Sequence, residues 1–289
     1  MTWFFLSLLT AAAVASQDAW VKRWFSGYNP YEMFVFPLLY ALPLTSSALF
    51  FISIPPLDAV FFWSFIVSLP LNAVPFILYM TAIRISPLSL TVPYLAFTPV
   101  FMIGTGFLFL GEIPDRWGIS GILAVCVGSY ILNIDISRHS LLAPFSAMFR
   151  EKGSLIMLLV AFIFSFSSVI GKVAIIHSSV MFFQMSLFVV LAILLAVLFS
   201  LSGNIRLTRI FEFPGRGVVA GMLLFAHIFF HGFAISMTKA VYMISIKRLS
   251  IVFGVIYGGL FFQEENIPVR LAGALIMFSG AALILFMAG

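Results

Sequence analysis

Long apolar runs recur along the whole chain, and short segments rich in proline, glycine or serine separate them. The runs are continuous rather than alternating, so they predict membrane-spanning helices and not the strands of a β-barrel. An all-α membrane protein with ten transmembrane helices is therefore expected. The predicted helices cover about residues 2–21, 31–53, 59–83, 87–110, 116–134, 153–175, 179–201, 216–237, 241–262 and 268–288.

The chain divides into two similar halves. One connection is long enough to be a linker, which gives a first five-helix repeat at 1–135, a linker at 136–152 and a second five-helix repeat at 153–289. A shift of 152 residues places Glu112 on Glu264, Gly121 on Gly273 and Gly128 on Gly280. Because each repeat has an odd number of helices, the second would enter the membrane upside down. Inverted repeats are typical of transporters with a central site.

Composition supports a multi-pass membrane protein and excludes several other classes. The chain is 63% hydrophobic and 9% charged, with a mean hydropathy of +1.17. The net charge of +5 is not gathered in a basic polar patch, so no nucleic-acid partner is expected. Cys126 is the only cysteine, which excludes an internal disulfide and a cysteine metal cluster. We read the apolar N-terminal run as the first membrane helix, because no Lys or Arg precedes it as in a signal peptide.

Two short motifs follow the fourth helix of each half. They read Gly111-Glu112-Ile113-Pro114, followed by Gly121 and Gly128, and Gln263-Glu264 with Pro268, followed by Gly273 and Gly280. This pattern resembles the EamA-type repeat of the drug/metabolite transporter superfamily. The resemblance implies a ten-helix, two-repeat fold that carries a small solute across a membrane. It favours export and a bacterial inner (plasma) membrane, and it names no substrate.

Two adjacent cations in the predicted ninth helix are the strongest candidates for a substrate site. Lys247 and Arg248 replace Leu95 and Ala96 of the first half, so they are not part of the repeat. Arg matches a carboxylate or phosphate with two donors, and Lys supplies a compact charge. The alternative is that both side chains snorkel to lipid headgroups. Ser250, Gly254 and Gly258 follow at helical spacing, which predicts a close-packing groove beside them.

Weaker candidates lie in other predicted helices. Asp18 could bind a substrate amine or carry a proton, although an i,i+4 pair with Lys22 competes. His227 and His231 are one turn apart, but two histidines alone do not make a metal site, and none is expected. His231 corresponds to Tyr79 in the repeat register, which suggests a cavity lining in both halves. The remaining candidates are Asn72, Gln184, Tyr94 and Tyr242.

Other polar or irregular positions have structural explanations. We expect Lys172 and Lys22 to be interfacial anchors, and Glu112 and Glu264 to answer free N–H groups at helix starts. Six prolines are predicted inside helices of the first half and would bend them: Pro37, Pro43, Pro70, Pro75, Pro93 and Pro99.

No nucleophile–base set, phosphate-binding glycine loop or ATPase module is visible, so neither an enzyme nor a cofactor is expected. The sequence predicts a secondary transporter working by alternating access on a small metabolite with an anionic group, as a monomer or homodimer in the lipid bilayer. A proton is a candidate coupling ion. A cationic multidrug exporter using Asp18 or Glu32, and a flippase for a lipid-linked substrate, remain alternatives. The loop charges favour both termini outside, whereas the family resemblance favours both inside.

Overall fold

The computed structural model describes residues 1–86, 91–132, 152–262 and 267–288, and every regular element within these ranges is helical. Seven helical segments of the described chain are long and apolar enough to cross a membrane. A 3-10 helix, Val92–Phe97, leads into α4, and a second, Leu207–Glu212, precedes α8. The α-helices are α1 (Thr2–Phe25), α2 (Pro30–Phe50), α3 (Ala59–Ile85), α4 (Thr98–Leu110), α5 (Arg116–Leu132), α6 (Lys152–Ile176), α7 (Val180–Leu201), α8 (Pro214–Ser236), α9 (Ala240–Lys247), α10 (Ser250–Phe262) and α11 (Ile267–Phe286).

Two of the predicted helices are not continuous. The segment predicted at 87–110 enters α4 through the 3-10 helix, and the one predicted at 241–262 is broken between Lys247 and Ser250. The two α-helical restarts, Thr98 and Ser250, lie 152 residues apart, so both halves break at the same register. The predicted linker at 136–151 and the motif residues Gln263 and Glu264 lie outside the described residues.

The internal prolines are partly as predicted. Pro37 and Pro43 lie inside α2, and Pro70 and Pro75 lie inside α3. The placement of Pro93 and Pro99 inside an α-helix was wrong. Pro93 belongs to the 3-10 helix and Pro99 to the first turn of α4, where a missing N–H costs no helical hydrogen bond.

Polar contacts between loops define the two ends of the bundle. At one end, the Tyr28 end, Tyr28 donates to Glu212 at 2.9 Å and Arg209 pairs with Glu32 at 2.9 Å. At the other, the His177 end, His177 Nδ1 lies 2.6 Å from Asp58 Oδ2. Since α1 ends at the first and α6 ends at the second, these two helices run in opposite directions.

Helix packing between the halves is reciprocal. Helix α3 packs on α6, and α8 packs on α1; likewise α4 packs on α6, and α10 packs on α1. Helix α2 contacts α7, and α5 contacts α11, so these helices meet their own counterparts. The interface between the halves therefore forms the centre of the molecule, and the core lies along it.

Glycines allow the closest of these contacts, between α5 and α11. A Cβ on Gly128 would lie 2.7 Å from Gly273 O, and one on Gly280 would lie 2.6 Å from Gly121 O. The glycines seven apart that marked the repeat motif are thus packing positions. The close-packing groove predicted along Ser250, Gly254 and Gly258 is wrong at Gly254, which is exposed and where a Cβ would meet nothing within 4 Å. Ser250 is buried, and Gly258 lies outside the residues whose surroundings the structure describes.

Candidate functional site

A cavity of about 100 Å³ lies among helices α1, α3, α6, α7, α8 and α9, near the interface between the halves. This space holds several water molecules or a small solute. Apolar side chains such as Phe76, Phe164 and Ile228 form much of its wall. Eight of the ten side chains predicted for the site also line it: Asp18, Asn72, Tyr79, Gln184, His227, His231, Lys247 and Arg248.

Lys247 ends helix α9 with its ammonium directed at helix α8. Its Nζ lies 3.0 Å from His227 Nε2 and 3.4 Å from His231 Nδ1. The two histidines are one helical turn apart, so both rings reach the same ammonium. The structure therefore places Lys247 in the cavity wall, away from the lipid headgroups that snorkelling requires.

Arg248 is buried more deeply, with 5% of its surface exposed. Its Nη2 donates to Thr98 Oγ1 at 2.8 Å, across to the first residue of α4. Its Nε finds no hydrogen-bond partner among the described residues. Buried polar groups are nearly always satisfied, so an incompletely paired guanidinium beside a cavity is a feature that a ligand or water would complete.

The local backbone accounts for the position of both cations. Helix α9 tightens as it ends, because Leu249 N–H donates to Ile246 O at 3.0 Å in a 3-10 pattern. Lys247 lies in the last turn of α9, where the free carbonyls favour a cation. In membrane transporters, interrupted helices of this kind commonly border the substrate site.

Asp18 supplies the acid of the cavity wall. Its Oδ2 accepts a hydrogen bond from Tyr79 at 2.6 Å, which joins α1 to α3. Lys22 instead donates to Ile83 O at 3.3 Å and Ser86 O at 3.4 Å. The i,i+4 pair that competed with a functional role for Asp18 is therefore not what holds its carboxylate.

Lys172 also borders the cavity, which corrects its prediction as an interfacial anchor. It is buried, forms an ion pair with Glu112 and donates to Thr238 O at 2.5 Å. Glu112 in turn accepts from Ala240 N at 2.7 Å, so it answers the start of α9 and not that of α5. Gly111 makes this possible, since its φ of 65° ends α4 in the left-handed region that favours glycine.

The formal charges of the wall do not cancel. Lys172 is neutralised by Glu112, which leaves Lys247 and Arg248 facing the single carboxylate of Asp18. An uncompensated positive charge at membrane depth costs several kcal/mol. The wall can therefore bind an anionic group that restores the balance.

Two of the predicted site residues lie elsewhere. The Tyr242 hydroxyl accepts from Asp115 N at 3.2 Å and packs against Gly118, so it fixes the start of α5 against α9. Tyr94 is hydrogen-bonded to Ser154 and lies near Phe97. Neither tyrosine borders the cavity.

Sequence reasoning missed Gln17 and Thr98. Gln17 is 5% exposed, and its Oε1 lies 3.3 Å from His227 Nδ1. Gln17 could have been predicted from the sequence, because it is a polar residue in the middle of an apolar helix and lies next to Asp18. Thr98 carried no such signal, because its partner Arg248 lies 150 residues away.

Comparison with known proteins finds a family model that matches the first part of the chain. Residues 1–134 match the EamA-like transporter family. A search of curated proteins finds no match. A solved structure titled "Crystal structure of protein" aligns over 97% of this chain and 95% of its own, with a TM-score of 0.68 and 13% sequence identity, which shows a shared fold.

The seven long apolar helices of the described chain and the match to a transporter family support an integral, multi-pass membrane protein. The apolar helices imply a lipid bilayer around it.

Proposed function

We propose that this EamA-like protein is a secondary transporter for a small metabolite with an anionic group: an amino acid, an organic acid or a phosphorylated metabolite. The observation that carries the proposal is the pair Lys247, half-buried, and Arg248, buried, in the wall of a central cavity, with one carboxylate against two cations. Eight of the ten sequence-derived site residues, Tyr94 and Tyr242 excepted, belong to this proposed site.

The proposed architecture is two inverted five-helix repeats, at 1–135 and 153–289, with the linker 136–152 between them. The opposite directions of α1 and α6, the reciprocal packing and the shared break at Thr98 and Ser250 support it. Alternating access follows from such symmetry, because exchanging the conformations of the repeats opens the site to the other side.

Equivalent lysines support the same mechanism. Lys172, near the end of α6, holds Thr238 O at the His177 end. Lys22, near the end of α1, holds Ser86 O at the Tyr28 end. The two lysines are 150 residues apart, two short of the repeat shift, whereas their acceptors Ser86 and Thr238 are 152 apart. Both lysines thus bind the turn after the third helix of their predicted half. We call Lys22 and Lys172 the end lysines and propose that they secure the two ends of the pathway.

A cationic multidrug exporter fits the charges less well. Asp18 accepts from Tyr79 and shares the cavity with two cations, so a cationic drug would meet net repulsion. Glu32 is in the capping box of α2 and pairs with Arg209 at the Tyr28 end, away from the cavity.

A lipid-linked substrate would use the same cations, so experiment has to separate a flippase from a metabolite carrier. Export across a bacterial inner membrane is proposed from the family alone.

The test is transport by the purified protein in liposomes. We would measure uptake of ¹⁴C-labelled L-glutamate, L-malate and glycerol 3-phosphate, with tetraphenylphosphonium as the cationic probe and a fluorescent phospholipid as the flippase probe. We expect at least one anion to be carried. In Lys247→Ala its KM should rise about thirtyfold, from the loss of about 2 kcal/mol of charge pairing.

The matched control is Lys152→Ala, which removes an exposed lysine at the start of α6. Its KM should equal that of the wild type. Carriage of tetraphenylphosphonium alone, or of phospholipid alone, would replace the proposal with one of the alternatives.

A further inference from the structure

Three basic side chains of the cavity form one connected cluster, which we call the Lys–His cluster: Lys247, His227 and His231. The Lys247 ammonium lies 3.0 Å from one ring and 3.4 Å from the other, and the ring centroids are 6.0 Å apart. The bonding pattern fixes the tautomer of His227. Because Gln17 Oε1 accepts from Nδ1, the Nε2 facing Lys247 carries a lone pair.

The Lys–His cluster therefore carries one positive charge at a time, with Lys247 protonated and both imidazoles neutral. An ammonium donating to two neutral imidazoles satisfies all three nitrogens, whereas protonating either imidazole would set two positive charges side by side at hydrogen-bond distance. Low dielectric surroundings make that repulsion strong, and Arg248, the next residue along, adds to it.

The other charges near the cluster are few. Helix α1 contributes Asp18, α3 contributes Tyr79 bonded to it, and α6 contributes Lys172, already paired with Glu112. Helix α4 holds Arg248 through the uncharged Thr98. No ionisable side chain of α5 or α7 lines the cavity within the described ranges. Among the described residues that line the cavity, Asp18 is thus the one carboxylate, and it faces Arg248 as well as the cluster.

An anion bound between Lys247 and Arg248 changes this balance. The ammonium can turn from the histidines to the anion, and the anion offsets the charge of a second proton. His231 is the natural recipient, because its contact with the ammonium is the longer of the two, 3.4 Å against 3.0 Å for His227, and is given up first when the ammonium turns. Binding of the anion and binding of the proton then favour each other by thermodynamic linkage.

We propose that the protein moves one proton together with each substrate anion, and that the Lys–His cluster carries this proton on His231. This inference rests on the proposed function. The proton enters from water on the side to which the cavity is open and leaves with the anion on the other side. Proton and anion then move in the same direction, so an outward gradient of the anion would drive export, and a pH gradient imposed on liposomes would drive accumulation of the anion.

The test is the ratio of protons to substrate in liposomes that contain the pH dye pyranine. The probe is whichever of L-glutamate, L-malate and glycerol 3-phosphate the wild type carries fastest. We expect about one proton per anion for the wild type and a ratio near zero for His231→Gln, whatever transport rate remains. His177→Gln, which alters a half-buried histidine at the bundle end and outside the cavity, should keep the wild-type ratio.

The outcomes separate the two proposals. Anion transport by the wild type without proton movement would overturn the coupling and leave the proposed function standing. A ratio of one that persists in His231→Gln would overturn the assignment to His231, and one that persists in His227→Gln as well would overturn the assignment to the cluster. No transport of any anion would overturn the proposed function, and the coupling with it.

Discussion

Lys247 and Arg248 show how far single residues could be predicted. Their presence in an apolar stretch, and the missing counterpart at Leu95 and Ala96, marked them as exceptional from the sequence. What the sequence did not give was depth, since a lysine about two turns into a helix can reach either a headgroup or a cavity. The helix break after Lys247 decides this, because it ends α9 with the ammonium facing His227 and His231.

Asp18 and Lys172 are residues for which local sequence spacing suggested the wrong surroundings. Local spacing suggested that Asp18 pairs with Lys22, and that Lys172 reaches the interface. In the structure each has a partner about 60 residues away: Tyr79 for Asp18 and Glu112 for Lys172. An i,i+4 ion pair stabilises a helix by only a few tenths of a kcal/mol, so a stronger hydrogen bond or ion pair to a buried, distant partner is preferred.

At the scale of the helix, apolar runs predicted the elements well because a bilayer fixes their length and composition. Apolar runs could not predict the interruptions within the fourth and ninth predicted helices, because the sequence stays apolar on both sides of each break. One break follows Pro93, whereas the other has no proline and lies at Arg248 and Leu249. A proline-free break is a product of packing and of side-chain hydrogen bonds.

The surroundings of two glycines, one on α5 and one on α10, predict opposite effects of an alanine substitution on stability. Gly128→Ala on α5 would push a Cβ against the backbone of Gly273 and Met277, and we expect a loss of stability of about 1–3 kcal/mol. Gly254→Ala on α10 places the same methyl group in open space, and we expect a gain of about 0.5–1 kcal/mol.

The measurement is the unfolding midpoint of each purified variant in the same detergent. The two substitutions should move the midpoint in opposite directions. Equal shifts of the same sign would mean that the α5–α11 contact does not depend on glycine.

At the scale of the whole molecule, polar contacts between loops hold the bundle at two opposite ends, the Tyr28 end and the His177 end. Arg206, Arg209 and Arg216 gather at the Tyr28 end, and the positive-inside rule predicts that this end faces the cytoplasm. The division into two repeats, made from a shift of 152 that holds over about fifty residues, stays a prediction. The sequence could not reveal that Lys22 and Lys172 bind the turns that contain Ser86 and Thr238.

The end lysines predict opposite changes in access to the cavity. In a Cys126→Ser background, Ser167→Cys places a reporter thiol in the cavity wall. Lys172→Ala should loosen the His177 end and Lys22→Ala the Tyr28 end. We expect labelling by an impermeant maleimide to rise about tenfold from one side in the first variant and from the other side in the second, for a shift of about 1.4 kcal/mol.

A matched control is Lys152→Ala in the same reporter background, which should leave labelling unchanged. If both end-lysine variants raised labelling from the same side, the two lysines would not secure opposite ends of one pathway.

The most direct test of the central claim compares charged and uncharged forms of one substrate. The pairs are L-glutamate with L-glutamine, L-malate with malamide, and glycerol 3-phosphate with glycerol. We would measure kcat/KM in liposomes for the pair that contains the transported anion, in the wild type, in Arg248→Gln and in Thr98→Val, which keeps the arginine but removes its anchor. The account predicts a wild-type preference for the charged form of about a hundredfold or more. In Arg248→Gln that preference should fall to about tenfold or less, while Thr98→Val largely retains it. A preference that is absent in the wild type, or unchanged in Arg248→Gln, would contradict the claim that this cation pair binds the anionic group of the substrate.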